Sequence, residues 1–482
     1  MKLKDLLKDI VVKGANVDME QEITKVVYDS RKVEPGSLFV AITGFATDGN
    51  RFIPMALEKG AAVVVTAVQP EENVPYVLVE SDRLALAYLG RNFYGDPAGK
   101  MKLIGVTGTN GKTSSTLLLK HVLEQVQGAK VGLMGTMENM IGQQSIPTER
   151  TTPESFELQG LLAQMAEAGC SHAIMEVSSH AIALDRVAGL TYEVAAFTNL
   201  TEDHLDFHKT MEHYCDTKAE LFARCRYACG NQDDEWFSRI CSKAKVPVMS
   251  LSVKGQADLW ASDVKLLSDG VSFTAHNGEE AVAVKLPIPG KFTVSNALTV
   301  LVMAMQLGIS LPDAAAALAT AKGVKGRVEV VPTPGKEFTV LIDYAHTPDG
   351  LENVLSSVKG FCKGRLIAVF GCGGDRDPIK RPIMGKIGTD IADIAVITSD
   401  NPRTEEPMAI IRDIEKGVEK DKKNYTIIEN RPKAIAYAMD IAQKNDIIVL
   451  AGKGHETYQE IRGVKHHLDE REVVAAHLEK MR

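Results

Sequence analysis

Apolar residues in this chain gather in short dense runs that end abruptly on glycine, an acid, Asn or His. "GSLFVAI" and "AAVVVTA" come first, then "KLIGVTG", "HAIMEVS" and "YEVAAFTNL", and later "FTVLIDY", "RLIAVFG", "IAVITSD", "YTIIEN" and "DIIVLAG". Runs of this length without polar alternation read as parallel strands buried on both faces. Between them lie longer stretches with helical spacing, among them "TSSTLLLKHVLEQ" and "SNALTVLVMAMQLG". Strand and helix in alternation predict an α/β chain of doubly wound sheets, with chemistry at the carboxyl ends of the strands.

Three blocks follow from the turn signals. Residues 1–98 close on "YGDPAGK". Residues 99–326 contain a more polar region near 230–285, where "GVSFTAHNGEEAVAVKL" reads as a hairpin, and end on "KGVKG". Residues 327–482 repeat the strand–helix pattern as a second, Rossmann-like sheet. A length of 482 residues agrees with about three domains. Sites at the two sheets' carboxyl edges, facing each other, would suit two substrates.

Composition narrows the class. Hydrophobic content of 45% and charged content of 24% are ordinary for a soluble globular protein. A net charge of −8 speaks against a nucleic-acid partner. No run approaches the roughly 20 apolar residues of a membrane span, and "MKLKDLLKDIVVKG" is too polar for a signal peptide. The seven scattered cysteines fit reduced thiols in the cytoplasm. Cys215, Cys225 and Cys229 with His204, His208 and His213 match no zinc spacing.

"IGVTGTNGKTSS" is the most specific stretch. A strict phosphate loop puts its first glycine at the position of Val106, whereas glycines fall at Gly105, Gly108 and Gly111. The surroundings are still those of a phosphate site: strand, glycine turn, then a helix beginning at Lys112. Its amides and dipole can cradle phosphate through Gly108, Thr109, Asn110, Gly111 and Ser114. Lys112 would neutralise the β and γ phosphates and the Thr113 hydroxyl would bind Mg2+. Glu176, closing "HAIME", is a hard oxygen ligand in a suitable place for the same ion. Elsewhere the residues alone leave bland readings open. "DSR" reads equally as a solvated turn, Thr151 and Thr152 as helix caps, His204 as a surface residue, Lys218 as a solvated helix lysine and Asn296 as an N-cap neighbour.

The loop "GVTGTNGKTS" resembles that of the Mur ligases, the ATP-dependent amino-acid-adding enzymes of peptidoglycan synthesis, whose pattern is G-x-x-G-T-N-G-K-T/S. The resemblance runs the length of the chain. It is closest to the members that add the third residue of the stem peptide to UDP-N-acetylmuramoyl-L-alanyl-D-glutamate. It implies a uridine-binding first domain holding Ser30 in "YDSRKVEPGSLFVAITGFATDG", a central ATPase domain and a third domain for the incoming amino acid. It implies that Thr151, Thr152, Ser178 and Arg186 hold the UDP-linked dipeptide. Glu176 and His204 would ligate metal together with Lys218, carried as the N6-carboxy (carbamylated) form. Asn296 and His346 would lie near adenine, Asp343 on the ribose and Arg327 on the phosphates. "SDNPRTEEP" is similar to the D-N-P-R signature of the diaminopimelate-adding members, so Asp400, Asn401, Pro402 and Arg403, with Arg376, Gly452 and Glu456, would read meso-diaminopimelate. A planar guanidinium at Arg403 suits the distal carboxylate that L-lysine lacks. The partners expected are small molecules only, with the chain acting as a cytoplasmic monomer. A lysine-adding member, a different Mur ligase, a folylpolyglutamate synthase, a bare ATPase and a nucleotide-regulated binding protein without catalysis are the rivals.

Overall fold

The computed structural model describes residues 1–44, 47–71, 73–148, 150–267 and 270–481, and in it three large sheets succeed one another along the chain. Phe45 and Ala46, within the stretch compared with a uridine site, lie outside the described residues.

In the first sheet, Lys25–Val27, Ser37–Ala41, Val63–Thr66 and Tyr76–Val79 run parallel, and Val12–Ala15 joins antiparallel at the edge. Ser37–Ala41 and Val63–Thr66 are buried along their whole length, which is why they read as unbroken apolar runs. The helix Asp82–Phe93 starts at Ser81, whose Oγ accepts from the Leu84 amide at 3.2 Å. It then packs on the helix Ser155–Glu167 of the next unit, and at Gly90 an added Cβ would come within 3.3 Å of Phe156.

The second sheet has eleven strands. Its parallel centre runs in the order Val131–Met134, His172–Glu176, Lys102–Thr107, Tyr192–Phe197, Cys225–Asn231, Val248–Ser252 and Leu259–Leu267. Gly270–Asn277 and Glu280–Leu286 extend it as the expected antiparallel hairpin. Strand order reverses around Lys102–Thr107, where a crevice opens beyond the carboxyl ends. The helix Lys112–Gln127 leaves from that strand. It buries Leu118, Leu119, Val122 and Leu123 almost completely, each worth about 1.5–3 kcal/mol of apolar burial.

The third sheet orders Thr339–Asp343, Ile447–Ala451, Leu366–Phe370, Ile394–Ile397 and Tyr425–Ile427 in parallel, with Glu329–Val331 antiparallel at its edge. One expectation needs correcting. Asn296 does not neighbour an N-cap: its helix, Lys291–Gln306, begins after Gly290, and Asn296 is buried a turn and a half inside it. Gly290 carries the positive φ (112°) that opens this helix, so the polar "SN" pair marks no boundary. Among the described residues no helix is long and apolar enough to cross a membrane.

Candidate functional site

The loop between Thr107 and Lys112 is set by its glycines. Gly108 (φ 148°) and Gly111 (φ 85°) take up left-handed backbone, and a Cβ on Gly108 would fall 2.0 Å from Thr198 Oγ1. The Thr109 amide donates to the Asn199 carbonyl (2.8 Å) and the Asn110 amide to Asn199 Oδ1 (2.9 Å). Thr198 Oγ1 donates to the Asn110 carbonyl at 2.6 Å. The end of Tyr192–Phe197 therefore clamps the loop from below. The first-turn amides of the following helix have no intrahelical acceptor and are the natural phosphate donors. Lys112 is folded over the same loop, its Nζ donating to the carbonyls of Gly108 and Thr109, both at 2.8 Å. Burial pushes its amine below the usual lysine value, with Glu176 and Asp203 opposing.

Two small clefts flank the helix start. One, of about 250 Å³, is lined by Ser114, Asn296 and Arg327 beside Leu118, Phe292 and Val324. The other, of about 200 Å³, reaches Thr113, Gly135, Met137 and Glu176. Glu176 is buried and fully engaged. Thr113 Oγ1 donates to its Oε1, as does the Thr136 amide, and Thr136 Oγ1 donates to Oε2, each at 2.9 Å. A hydroxyl and a carboxylate are thus brought together as hard oxygen donors, which suits Mg2+. Thr136 lies beyond what the sequence pointed to; its only signal is its place just after a buried strand.

Lys218 lies in the helix Met211–Ala219, sealed from solvent, and donates from Nζ to the Gly108 carbonyl at 3.0 Å. Its ammonium position is 4.6 Å from the centre of the Tyr214 ring. Burial and the neighbouring Lys112 push the amine well below its usual value, and Asp203 only partly offsets them. His204 sits at the outer edge of this group, its ring edge-on to Tyr214 at 6.2 Å. It is exposed, has φ 56°, and turns its Nε2 to Asp203 Oδ2 at 3.4 Å and its ring edge-on to His180. Among the described residues no cluster of three or more His, Cys, Asp or Glu is arranged to hold a metal ion. The cysteines are all free thiols.

Beside Glu176, Thr152 Oγ1 donates to the Glu176 carbonyl (2.8 Å) and accepts from the Ser178 amide (3.1 Å), and Arg186 Nη1 donates to the Thr152 carbonyl (3.3 Å). Thr151 Oγ1 and Thr136 Oγ1 are 3.0 Å apart. Thr151, Thr152, Ser178 and Arg186 thus form one group. Ser30 is buried in the first unit, its Oγ donating to Met55 Sδ at 3.5 Å.

The third unit approaches from the other side. Asp349, in the first turn of the helix Pro348–Lys359, accepts at Oδ2 from Asn110 Nδ2 (2.7 Å) and Thr201 Oγ1 (3.0 Å). This residue, absent from the sequence reading, ties the phosphate loop to the third sheet. Asp343 ends its strand with both oxygens taken by the amides of Val328 and Ala345, each at 2.8 Å, and burial pushes its carboxyl up. Arg327 lies over the Tyr344 ring at 5.0 Å, and His346 Nδ1 is 2.8 Å from the Tyr344 carbonyl.

At the carboxyl edge of the third sheet a second polar group is assembled. Asn401 Nδ2 donates to Glu456 Oε2 (2.9 Å), and Lys453 Nζ donates to Asn401 Oδ1 (2.9 Å) and Glu456 Oε2 (3.1 Å). Arg431 donates from Nε to Glu470 Oε1 (2.8 Å), and its Nη1 is 3.8 Å from Asp400 Oδ2. Burial would raise the Asp400 carboxyl, but Lys453 and Arg431 outweigh it and hold it down. Gly452 (φ 119°) makes room, since a Cβ there would meet Asp400 Oδ2 at 2.6 Å. Pro402 is buried, and Arg403 follows in left-handed backbone (φ 50°), its Nη1 donating to the Gly374 carbonyl (2.8 Å) and its Nε 3.5 Å from Glu460 Oε2. Arg376 is exposed, its Nη1 donating to the Asp375 carbonyl (3.0 Å). Lys453 and Arg431 were not singled out from sequence, although Lys453 stands inside the "AGKGHE" stretch that supplies Gly452 and Glu456.

A glycine-clamped loop at a strand–helix junction, a carboxylate beside its threonine and a third sheet tied to it by Asp349 are the features of a nucleotide-binding α/β protein of several domains. Three family models match in sequence order: the Mur ligase family catalytic domain over residues 22–94, the Mur ligase middle domain over 106–304 and the Mur ligase glutamate ligase domain over 326–454. The chain belongs to the Mur ligase family. It is 47% identical over 488 residues to the UDP-N-acetylmuramoyl-L-alanyl-D-glutamate–2,6-diaminopimelate ligase of Clostridium tetani, with all of both chains covered. It is 48% identical over 480 residues to the ligase of the same name from Caldanaerobacter subterraneus subsp. tengcongensis, covering 98% of each. A solved structure of a UDP-N-acetylmuramoyl-L-alanyl-D-glutamate–2,6-diaminopimelate ligase superposes with a TM-score of 0.74 at 32% identity, over 100% of this chain and 99% of the other.

Proposed function

We propose that the protein is an ATP-dependent ligase that joins meso-diaminopimelate to the D-glutamate of UDP-N-acetylmuramoyl-L-alanyl-D-glutamate in cytoplasmic peptidoglycan synthesis, acting as a single chain. Residues 1–98 hold the uridine end, residues 99–326 the nucleotide and residues 327–482 the amino acid. The observation that supports the reading is the hydrogen bond from Asn110 Nδ2 to Asp349 Oδ2, through which residues 327–482 meet the glycine loop of the second unit.

The chemistry needs no covalent nucleophile from the protein. A side-chain carboxylate oxygen of the D-glutamate attacks the γ-phosphorus of ATP, the bond to ADP breaks, and an acyl phosphate results. The uncharged amine of diaminopimelate then attacks the acyl carbon; phosphate leaves, and the amine's proton passes to solvent. The loop amides and Lys112 meet the charge that develops on the phosphoryl oxygens, and the domains fix the reactants in line. Mg2+, for which Thr113 and Glu176 are suitable oxygen ligands, would neutralise phosphate charge. Closing the third domain keeps water from the acyl phosphate.

Lys218 fits a carbamate. Burial disfavours the protonated form of this amine; as the neutral amine it adds CO2 at nitrogen and releases a proton, giving a carboxylate beside Lys112. His204 becomes a ligand only by turning away from Asp203. On the amino-acid side, Arg403 and Arg376 suit the carboxylates of diaminopimelate. Glu456, with Asn401 and Asp400, suits its distal ammonium. The test is mass spectrometry of the product: amide formation must require ATP, the UDP-linked dipeptide and diaminopimelate together, and ADP formation without new amide would refute the reading.

A further inference from the structure

Arg381, in the first turn of the helix Lys380–Ile391, is buried, and a positive charge there opposes the helix dipole. Two carboxylates hold it: Nη2 donates to Glu405 Oε1 (2.7 Å) and Nη1 to Asp413 Oδ2 (3.0 Å). Glu405 Oε1 also accepts from the Asp375 amide (2.6 Å), so one oxygen joins the buried guanidinium to the stretch 373–377. Asp375 in turn reaches across to the stretch 401–405. Its Oδ1 accepts from Thr404 Oγ1 (2.7 Å) and its Oδ2 from the Thr404 amide (3.2 Å). The Gly374 amide donates to the Asn401 carbonyl (2.9 Å), and a Cβ on Gly374 would fall 2.0 Å from the Pro402 carbonyl oxygen. These two laced stretches carry Arg376, next to Asp375, and Arg403, next to Thr404. Both arginines flank Gly373, where an added Cβ would lie 2.8 Å from Arg403 Nη1 and 3.9 Å from Arg376 Cγ. Asp375 (φ 53°) and Arg403 (φ 50°) both hold left-handed backbone, which persists only where the surroundings dictate it. Burying an ion pair gains little stability over an apolar side chain. A forked guanidinium does fix where a carboxylate oxygen sits, and here that oxygen anchors the loop beside Arg376.

We propose that Arg381 is a positioning residue for the amino-acid site. Acting through Glu405 and Asp375, it sets the placement of Arg376 against Arg403, and so the span between the two carboxylates of the amino acid that the chain accepts. This rests on the proposed function for the substrate's identity. The test is steady-state kinetics of the full-length protein, with the amide product followed by mass spectrometry. Arg381→Lys keeps the charge but loses the fork, and should raise KM for meso-diaminopimelate by about tenfold. KM for ATP and for the UDP-linked dipeptide should stay as in the wild type. Thr404→Val, at an exposed position, removes the bond to Asp375 Oδ1 without touching Arg381 and should raise the same KM severalfold. A double variant separates positioning from mere support of the fold. In Arg403→Ala protein, adding Arg381→Lys should raise KM for diaminopimelate by no more than about twofold, because residues acting through one another do not add. Thr404→Val combined with Arg403→Ala gives the same comparison if Arg381→Lys does not fold. Unchanged KM for diaminopimelate in the single variants, an equal rise in KM for ATP, or the full single-variant effect repeated in the Arg403→Ala background overturns the assignment. Failure of the function reading shows separately, as a wild type that forms no diaminopimelate-dependent amide.

Discussion

Lys218 beneath the phosphate loop and Lys453 at the edge of the third sheet are both sealed from solvent, but their surroundings are opposite. Lys453 is neutralised by Glu456 and oriented by Asn401. Lys218 has one carbonyl and one aromatic face, with a second lysine beside it. A buried amine with a counter-charge is a strut that holds its neighbours in place. One whose neighbouring lysine outweighs the partial offset from Asp203 is under pressure to lose its proton or to acquire a negative charge, and that makes it chemically available.

The contrast predicts different failures. Lys218→Ala should cost about 10²–10³-fold in ADP release while leaving the fold intact, the scale expected when an electrostatic element of a phosphoryl-transfer site is removed. With 13C-bicarbonate the wild type should show one carbamate carbon resonance that this variant lacks; full activity in the variant would refute the carbamate. Arg403→Ala should raise KM for meso-diaminopimelate by about 10²-fold with KM for ATP unchanged, because a charged partner for the distal carboxylate is lost. Lys453→Met should lower unfolding free energy by about 1–3 kcal/mol in urea titrations, since it leaves the partly buried Glu456 without its counter-charge. Asp349→Ala, losing one interdomain carboxylate with two donors, should raise KM for ATP by about tenfold. The smallest effect is in pH dependence. In the unmodified protein the folded state depresses the Lys218 value, so between the folded and unfolded values the unfolded chain binds more protons and stability rises with pH. Lys218→Met should flatten that rise in urea midpoints measured across the alkaline range.

What could be read from sequence follows the same division. The glycine turn after Thr107 was legible because backbone builds it: Gly108 and Gly111 take positive φ, and their spacing is local. The buried parallel strands were legible because two-sided burial leaves unbroken apolar runs. The network of Asn401, Lys453 and Glu456 was half legible, since its members are some fifty residues apart and lysine carries no periodic signal of burial. Arg431 and Asp349 gave no signal, because each acts on a partner from another segment. Asn296 was misplaced for a related reason. A polar pair next to an apolar run looks like a cap, but here it is a buried step inside a longer helix pressed against Gly111.

An amino-acid panel in an ADP-release assay, run with ATP and UDP-N-acetylmuramoyl-L-alanyl-D-glutamate, decides the matter. The arrangement of Arg403, Asn401 and Glu456 predicts ADP release with meso-diaminopimelate and at least a hundredfold less kcat/KM with L-lysine, for want of the distal carboxylate. Equal turnover with the two amino acids would contradict it.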